Sequence, residues 1–273
     1  MAIESARTPL DPGLLRADLP AGWRTLDVVD ETGSTNADLL ARAAAGHDVA
    51  GAVLITDFQR AGRGRHGRQW TAPPRSQVAM SVGVDAGGVK PDAWGWLPLL
   101  TGVAVRDAVA EVSAVQAGLK WPNDVLVGDG KLAGILAEVA APQPVVVIGI
   151  GLNVSLTPAE APDPRATSLA MLGAAHEDRN ALVTAILRFL GARISQWRNA
   201  GGADDSLVAD YRIHSLTLGS EVRAILPGDR RLEGTATDID ALGRLTITSG
   251  PESVTVAAGD ITHLRPASAD PRD

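Results

Sequence analysis

Apolar residues recur along this chain in two rhythms, and the change from one to the other marks out its parts. Residues 34–45 read as a helix, started by Ser34 with Asp38 in its first turn and stopped at Gly46. Short apolar runs at 52–56 and 77–84 read as strands, whereas 97–112 places Leu100, Val103, Ala104, Val109 and Val112 at helical spacing. From Gly118 the rhythm turns to short β segments at 119–121, 125–127, 132–139 and 145–152. Gly128-Asp129-Gly130 and Ala141-Pro142-Gln143-Pro144 supply the turns of this meander. Asp178 then caps a long amphipathic helix in which Leu182, Val183, Ile186, Leu187, Leu190, Ile194 and Trp197 share a face. Past Leu216, alternating segments at 221–226, 232–237, 244–248, 253–257 and 261–264, separated by glycine turns, predict a small β-barrel. The pattern divides the chain into a loose segment at 1–25, a main domain at 26–216 and a small β domain at 217–273.

Composition narrows the function classes. The 273 residues are 45% hydrophobic and 21% charged, and 25 basic against 32 acidic side chains give a net charge of −7. An acidic protein is a poor nonspecific nucleic-acid binder. The absence of cysteine excludes disulfides, thiolate nucleophiles and zinc–thiolate sites, and the five histidines lack metal-ligand spacing. The run 145–152 is too short to cross a bilayer, and residues 1–18 lack the apolar core of a signal peptide, which predicts a cytoplasmic protein.

Against that acidic background, Gly62-Arg63-Gly64-Arg65-His66-Gly67-Arg68-Gln69-Trp70 is a local exception. Glycines let backbone N–H groups approach an anion, arginines supply permanent positive charge, and Trp70 offers a flat face to a purine. No repetition supports a flexible RGG-type linker. The glycines also satisfy G-x-G-x-x-G, but a dinucleotide turn needs a helix next, and Thr71-Ala72-Pro73-Pro74 bars one. Downstream, Lys120-Trp121-Pro122-Asn123-Asp124 joins a cation, an amide and a carboxylate at a rigid turn. Lys131-Leu132-Ala133-Gly134-Ile135-Leu136 sets one lysine at the start of an apolar strand beside a glycine that leaves room for a ligand. Taken singly, these two segments also fit a plain turn and a solvated edge charge.

In this order, and together with Gly33-Ser34-Thr35-Asn36 and Gly149-Ile150-Gly151-Leu152-Asn153, these segments closely resemble the biotin protein ligase family over about residues 27–265. The resemblance implies an α+β fold: a mixed sheet with flanking helices like that of class II aminoacyl-tRNA synthetases, then a small SH3-like barrel. It implies activation of biotin by ATP with Mg²⁺ to biotinyl-5′-AMP, and transfer to a lysine of a biotin carboxyl carrier domain. By the same resemblance, Ser34, Thr35, Asn36, Gln59 and Gly62, with the Arg63 backbone, read the ureido ring of biotin, while Gly134 and Ile135 line its apolar chain. Lys131 stands between the biotin carboxylate and the α-phosphate. Arg63, Arg65 and Arg68 face the adenylate, Trp70 lies near adenine, Asn153 bonds the base, and Arg265 reaches in from the barrel. Asn123 and Asp124 lie at the reacting centre. Only about thirty residues, with Pro9, Pro12 and Pro20, precede Ser34, which predicts a ligase without a DNA-binding domain. A lipoate ligase, a noncatalytic biotin or nucleotide sensor and an RNA-binding module are the competing readings.

Overall fold

The computed structural model describes residues 7–226, 230–257 and 260–263. Its larger sheet has seven strands in the order β1-β2-β3-β7-β6-β5-β4. They are β1 (Thr25–Thr32), β2 (Ala52–Gln59), β3 (Gln77–Asp85), β4 (Gly118–Lys120), β5 (Asp124–Val127), β6 (Gly130–Val139) and β7 (Val145–Asn153). β1 and β2 run parallel and every other pair is antiparallel, as the short turns between β4 and β7 require.

The two faces of this sheet differ because side chains alternate along each strand. One face presents Ile55, Met80, Ile135 and Ile150 to a core shared with α3 (Leu97–Ser113) and α4 (Arg179–Ala200), where Leu100, Val103, Leu182 and Ile186 are all buried. Each such side chain contributes roughly 1.5–3 kcal/mol when fully removed from water. The other face is covered at one end only: Leu39 and Ala43 of α2 (Thr35–Ala44) pack there on Leu54, Val145 and Val147.

Five further strands form the second sheet, in the order β11-β10-β9-β8-β12: β8 (Glu221–Leu226), β9 (Arg230–Ile239), β10 (Leu245–Ser249), β11 (Glu252–Val256) and β12 (Asp260–His263). All pairs are antiparallel, in keeping with a small SH3-like unit. Among the described residues no pairing joins β11 to β12. Its β9–β10 turn docks on two buried indoles, Trp96 Nε1 donating to Asp240 O at 3.0 Å and Trp121 Nε1 to Gly243 O at 2.9 Å.

Sequence patterning missed α1 (Pro12–Ala17), β1 and α5 (Asp205–His214). Residues 7–24 are held rather than loose. Leu10 and Leu15 are buried, Trp23 Nε1 donates to Leu187 O at 2.9 Å, and Arg7 donates to Ser155 O at 2.7 Å and Glu160 Oε2 at 2.6 Å. Among the described residues no helix is long and apolar enough to cross a membrane.

Arg7, and after it the Thr157 N–H, holds the Glu160 carboxyl at about 2, below its ordinary value of 4.5. A depressed carboxylate adds stability in full above its unfolded value, and loses it as pH falls through the folded one. The urea midpoint of the wild type should therefore exceed that of Glu160→Gln by a constant amount above pH 4.5. The gap should close as pH approaches 2. A gap independent of pH would show that the Arg7 clasp does not depend on this charge.

Candidate active site

The half of the sheet face that α2 leaves open carries a cross-strand row of small residues. Ala79 pairs with Gly151, Gly151 with Gly134, and Gly134 with Asp124, which in turn pairs with Lys120. Paired residues point to the same side of a sheet, so three adjacent strands offer almost no side chain there. Carboxylate and lysine stand at one end of this bare strip.

Strict alternation along β6 would send Lys131 into the core with Ala133 and Ile135. A bulge prevents this: against β5, Val125 opposes Ala133 but Leu126 opposes Lys131, leaving Leu132 as the extra residue. Leu132 and Ala133 are both buried in the core, and Lys131 is turned to the glycine face. There its Nζ meets Asp124 Oδ1 at 2.6 Å and lies 5.5 Å from the centre of the Trp70 ring. The Lys131 main chain is clamped as well, its N–H donating to Arg165 O at 2.5 Å and its carbonyl accepting from Thr167 N at 3.0 Å.

The arginine loop closes over this strip as a hairpin. Arg63 bridges Gln69, Trp70 N donates to Gly62 O at 2.9 Å, and Gly64 N to Arg68 O at 2.7 Å. A Cβ at Gly62 would lie 2.3 Å from Trp70 O, so only glycine permits the closure. The Trp70 indole then rests on the glycine floor: a Cβ at Gly151 would stand 2.4 Å from the ring and one at Gly134 3.0 Å from it. Trp70 Nε1 donates to Gln77 Oε1 at 2.6 Å. From the same loop Arg65 reaches Asn123 Oδ1 at 3.2 Å, and Asn123 Nδ2 donates to Ile135 O at 3.0 Å. Loop, turn and strand thus converge as their motifs suggested. Beneath them the buried phenol of Tyr211 is pushed above its ordinary pKa by desolvation and then by the Asp124 charge, which leaves it neutral.

At the other end lies a buried polar cluster built on the start of α2. Ser34 caps the helix, accepting from Ala37 N at 3.5 Å, and Ser34, Thr35 and Asn36 are all buried. Gln59 Oε1 accepts from Thr35 N at 2.9 Å and lies 3.2 Å from Thr35 Oγ1, which is 2.7 Å from Ser81 Oγ. Ser81 donates to Asn36 Oδ1 at 2.5 Å, and Asn36 Nδ2 donates to Leu136 O at 3.2 Å and Glu138 Oε2 at 2.8 Å. Gly149 makes room for this amide, since a Cβ there would be 2.4 Å from Asn36 Oδ1.

Three expected placements change. Ile135 points away from the strip toward Gly102 of α3, because it follows Gly134 in an alternating strand. Its N–H and carbonyl are both bonded to Asn123. The Arg63 guanidinium pairs with Glu138 at 2.9 Å, at the α2 end of the strip rather than among the cations around Lys131. Asn153 is buried with its Nδ2 committed to Thr167 O at 2.9 Å and Lys131 O at 3.4 Å, so that amide supports the Lys131 backbone instead of presenting a donor to a ligand. Arg68 is exposed on the loop, and Arg265 lies outside the described residues. Sequence reasoning missed Ser81 and Glu138. Counting alternation from Gly134 would have placed Glu138 on the ligand face, four residues along β6.

Comparison with known proteins places the whole chain. Residues 33–155 match the biotin/lipoate A/B protein ligase family, and residues 217–264 match the biotin protein ligase C-terminal domain. A Mycobacterium tuberculosis protein named biotin--[acetyl-CoA-carboxylase] ligase is 57% identical over 95% of this chain and 97% of its own length. The bifunctional ligase/repressor BirA of Escherichia coli is 30% identical over 81% of this chain and 68% of its own. Among solved structures, the Aquifex aeolicus biotin protein ligase in complex with biotin and ATP shares the fold with a TM-score of 0.77 at 24% identity. It covers 89% of this chain and all of the other. The Leishmania major biotin protein ligase in complex with biotin gives 0.59 at 26% identity, covering 90% and 99%. With both family matches in chain order and a relative 57% identical over 95% of the chain, this protein belongs to the biotin protein ligase family.

Proposed function

We propose that this protein activates biotin with ATP to biotinyl-5′-AMP and transfers the biotinyl group to a lysine of a biotin carboxyl carrier domain, as in acetyl-CoA carboxylase. The observation that carries the reading is a glycine strip, without side chains of its own and roofed by Trp70, that has a buried polar cluster at one end and a Lys–Asp–Arg group at the other. Biotin has that polarity: a polar ureido ring, an apolar chain and a carboxylate.

In this reading Thr35 and Gln59, with Ser34, Asn36, Gly62 and the Arg63 backbone around them, take the ring, and the chain crosses the Gly134–Gly151 floor beside Trp70. Lys131 then meets the carboxylate where the α-phosphate arrives. Two anions must approach there, so Lys131, Arg65 and Arg68 screen their repulsion and stabilise the oxygens that gain charge. Asn123 aims Arg65. Arg265 would extend this charge toward the ATP phosphates. Mg²⁺ fits such a site as an ion held largely by phosphate oxygens and water. The carboxylate at hand is Asp124, and among the described residues no three His, Cys, Asp or Glu side chains group as metal ligands. When bound, Mg²⁺ would supply further charge neutralisation at the phosphates.

A lipoate ligase is disfavoured because a dithiolane ring offers no N–H to the Thr35 Oγ1 lone pairs and no acceptor to Gln59 Nε2, and a buried polar group left without its ligand partner costs roughly 1–3 kcal/mol. Pyrophosphate exchange into ATP should accordingly require biotin and fail with lipoate or with no acid. Exchange supported by lipoate would overturn the ring assignment, and tight biotin binding without exchange would point to a sensor.

Asp124 is placed to orient the acceptor amine, or take its proton, in the second half-reaction. Asp124→Asn should keep adenylate formation near the wild-type rate while slowing transfer to a carrier domain on the order of a hundredfold. Wild-type transfer by that variant would remove Asp124 from the mechanism.

A further inference from the structure

Hydrogen-bond polarity in the buried cluster can be read from one end to the other, and it starts at Glu138. Asn36 Nδ2 faces two groups that can only accept, the Glu138 carboxylate at 2.8 Å and the Leu136 carbonyl at 3.2 Å. That fixes the amide with Oδ1 toward Ser81, whose one hydroxyl hydrogen is consumed by the bond to Oδ1 at 2.5 Å. The 2.7 Å contact between Ser81 Oγ and Thr35 Oγ1 therefore needs its hydrogen from Thr35. Thr35 has only one, so its 3.2 Å approach to Gln59 Oε1 carries none, and Gln59 Oε1 is held by the Thr35 N–H instead, at 2.9 Å. Thr35 Oγ1 is left presenting lone pairs to the pocket, and Gln59 is left with its Nε2 hydrogens.

We propose that Glu138 is a specificity-determining residue: through Asn36 and Ser81 it sets Thr35 Oγ1 as an acceptor, which selects a ligand ring that offers an N–H beside a carbonyl. A cyclic urea has that pattern, and a dithiolane or a hydrocarbon ring has neither group. The same Glu138 oxygen accepts from Arg63 at 2.9 Å, so the base of the arginine loop is tied to the group that sets the polarity. This inference rests on the placement of the ureido ring at Thr35 and Gln59.

What Glu138 must supply is an acceptor, and Gln can supply one whereas Met cannot. Isothermal titration with biotin should therefore show Glu138→Met weakened about tenfold and Glu138→Gln within about threefold of wild type, with ATP affinity unchanged in both. Thr35→Val should lose about tenfold, and adding Glu138→Met to it should cost no more than about threefold further, because the relay then has no end to act on. Should Glu138→Met fail to fold, Ser81→Ala breaks the same relay without touching a charge and is expected to show the same non-additivity with Thr35→Val. Losses that multiply to about a hundredfold in the double variant, or wild-type biotin affinity in Glu138→Met, would overturn the relay while leaving the ring where it is. Wild-type affinity in Thr35→Val would overturn both the relay and the ring placement.

Discussion

Nearly everything at this site depends on one steric constraint: the sheet must be bare where Ala79, Gly151 and Gly134 lie side by side. Because cross-strand partners share a face, missing side chains in register on three strands make a channel instead of three isolated gaps. The opposite face of the same strands is continuous core under α3 and α4, so the channel has a rigid floor. A cavity lined by flexible side chains could close on itself. Backbone held by ladder hydrogen bonds on both sides cannot.

The remaining parts act at the ends of that strip or over it. A β-bulge moves Lys131 from the core face to the ligand face, an instance of a ladder defect re-aiming a functional side chain. Glycine at position 62 lets the loop return on itself and bring Trp70 down onto the floor. Lys131, Asp124, Arg65 and Asn123 come from a strand, a turn and a loop. Their mutual contacts mean that displacement of one would be felt by the others.

Much of this was legible in the sequence, for identifiable reasons. Strands β3, β6 and β7 announce themselves because both faces are apolar or small, and α2 and α4 because Ser34 and Asp178 are true side-chain caps. Strand β1 was invisible since it is an edge strand in which Leu26 alone is buried, and α5 because only Leu207, Val208 and Tyr211 face inward. The motifs carrying Arg65, Asn123, Asp124 and Lys131 come together in the fold, but the direction in which each side chain points depends on register. The bulge at Leu132 and the partnership of Ser81 with Asn36 exist only between strands, and no local pattern encodes them, whereas the inward turn of Ile135 follows from alternation past Gly134.

The most direct test of this account is to fill the floor. Gly151→Ala adds a single methyl whose carbon would sit 2.4 Å from the Trp70 ring, on a face where the core is untouched. The account predicts a crystal structure of the variant with the same sheet register and the indole displaced, a thermal midpoint close to wild type because the half-buried indole can move aside, and biotin affinity reduced at least tenfold, about 1.4 kcal/mol of binding free energy. Unchanged biotin affinity with the indole displaced would show that the strip is not where the substrate lies.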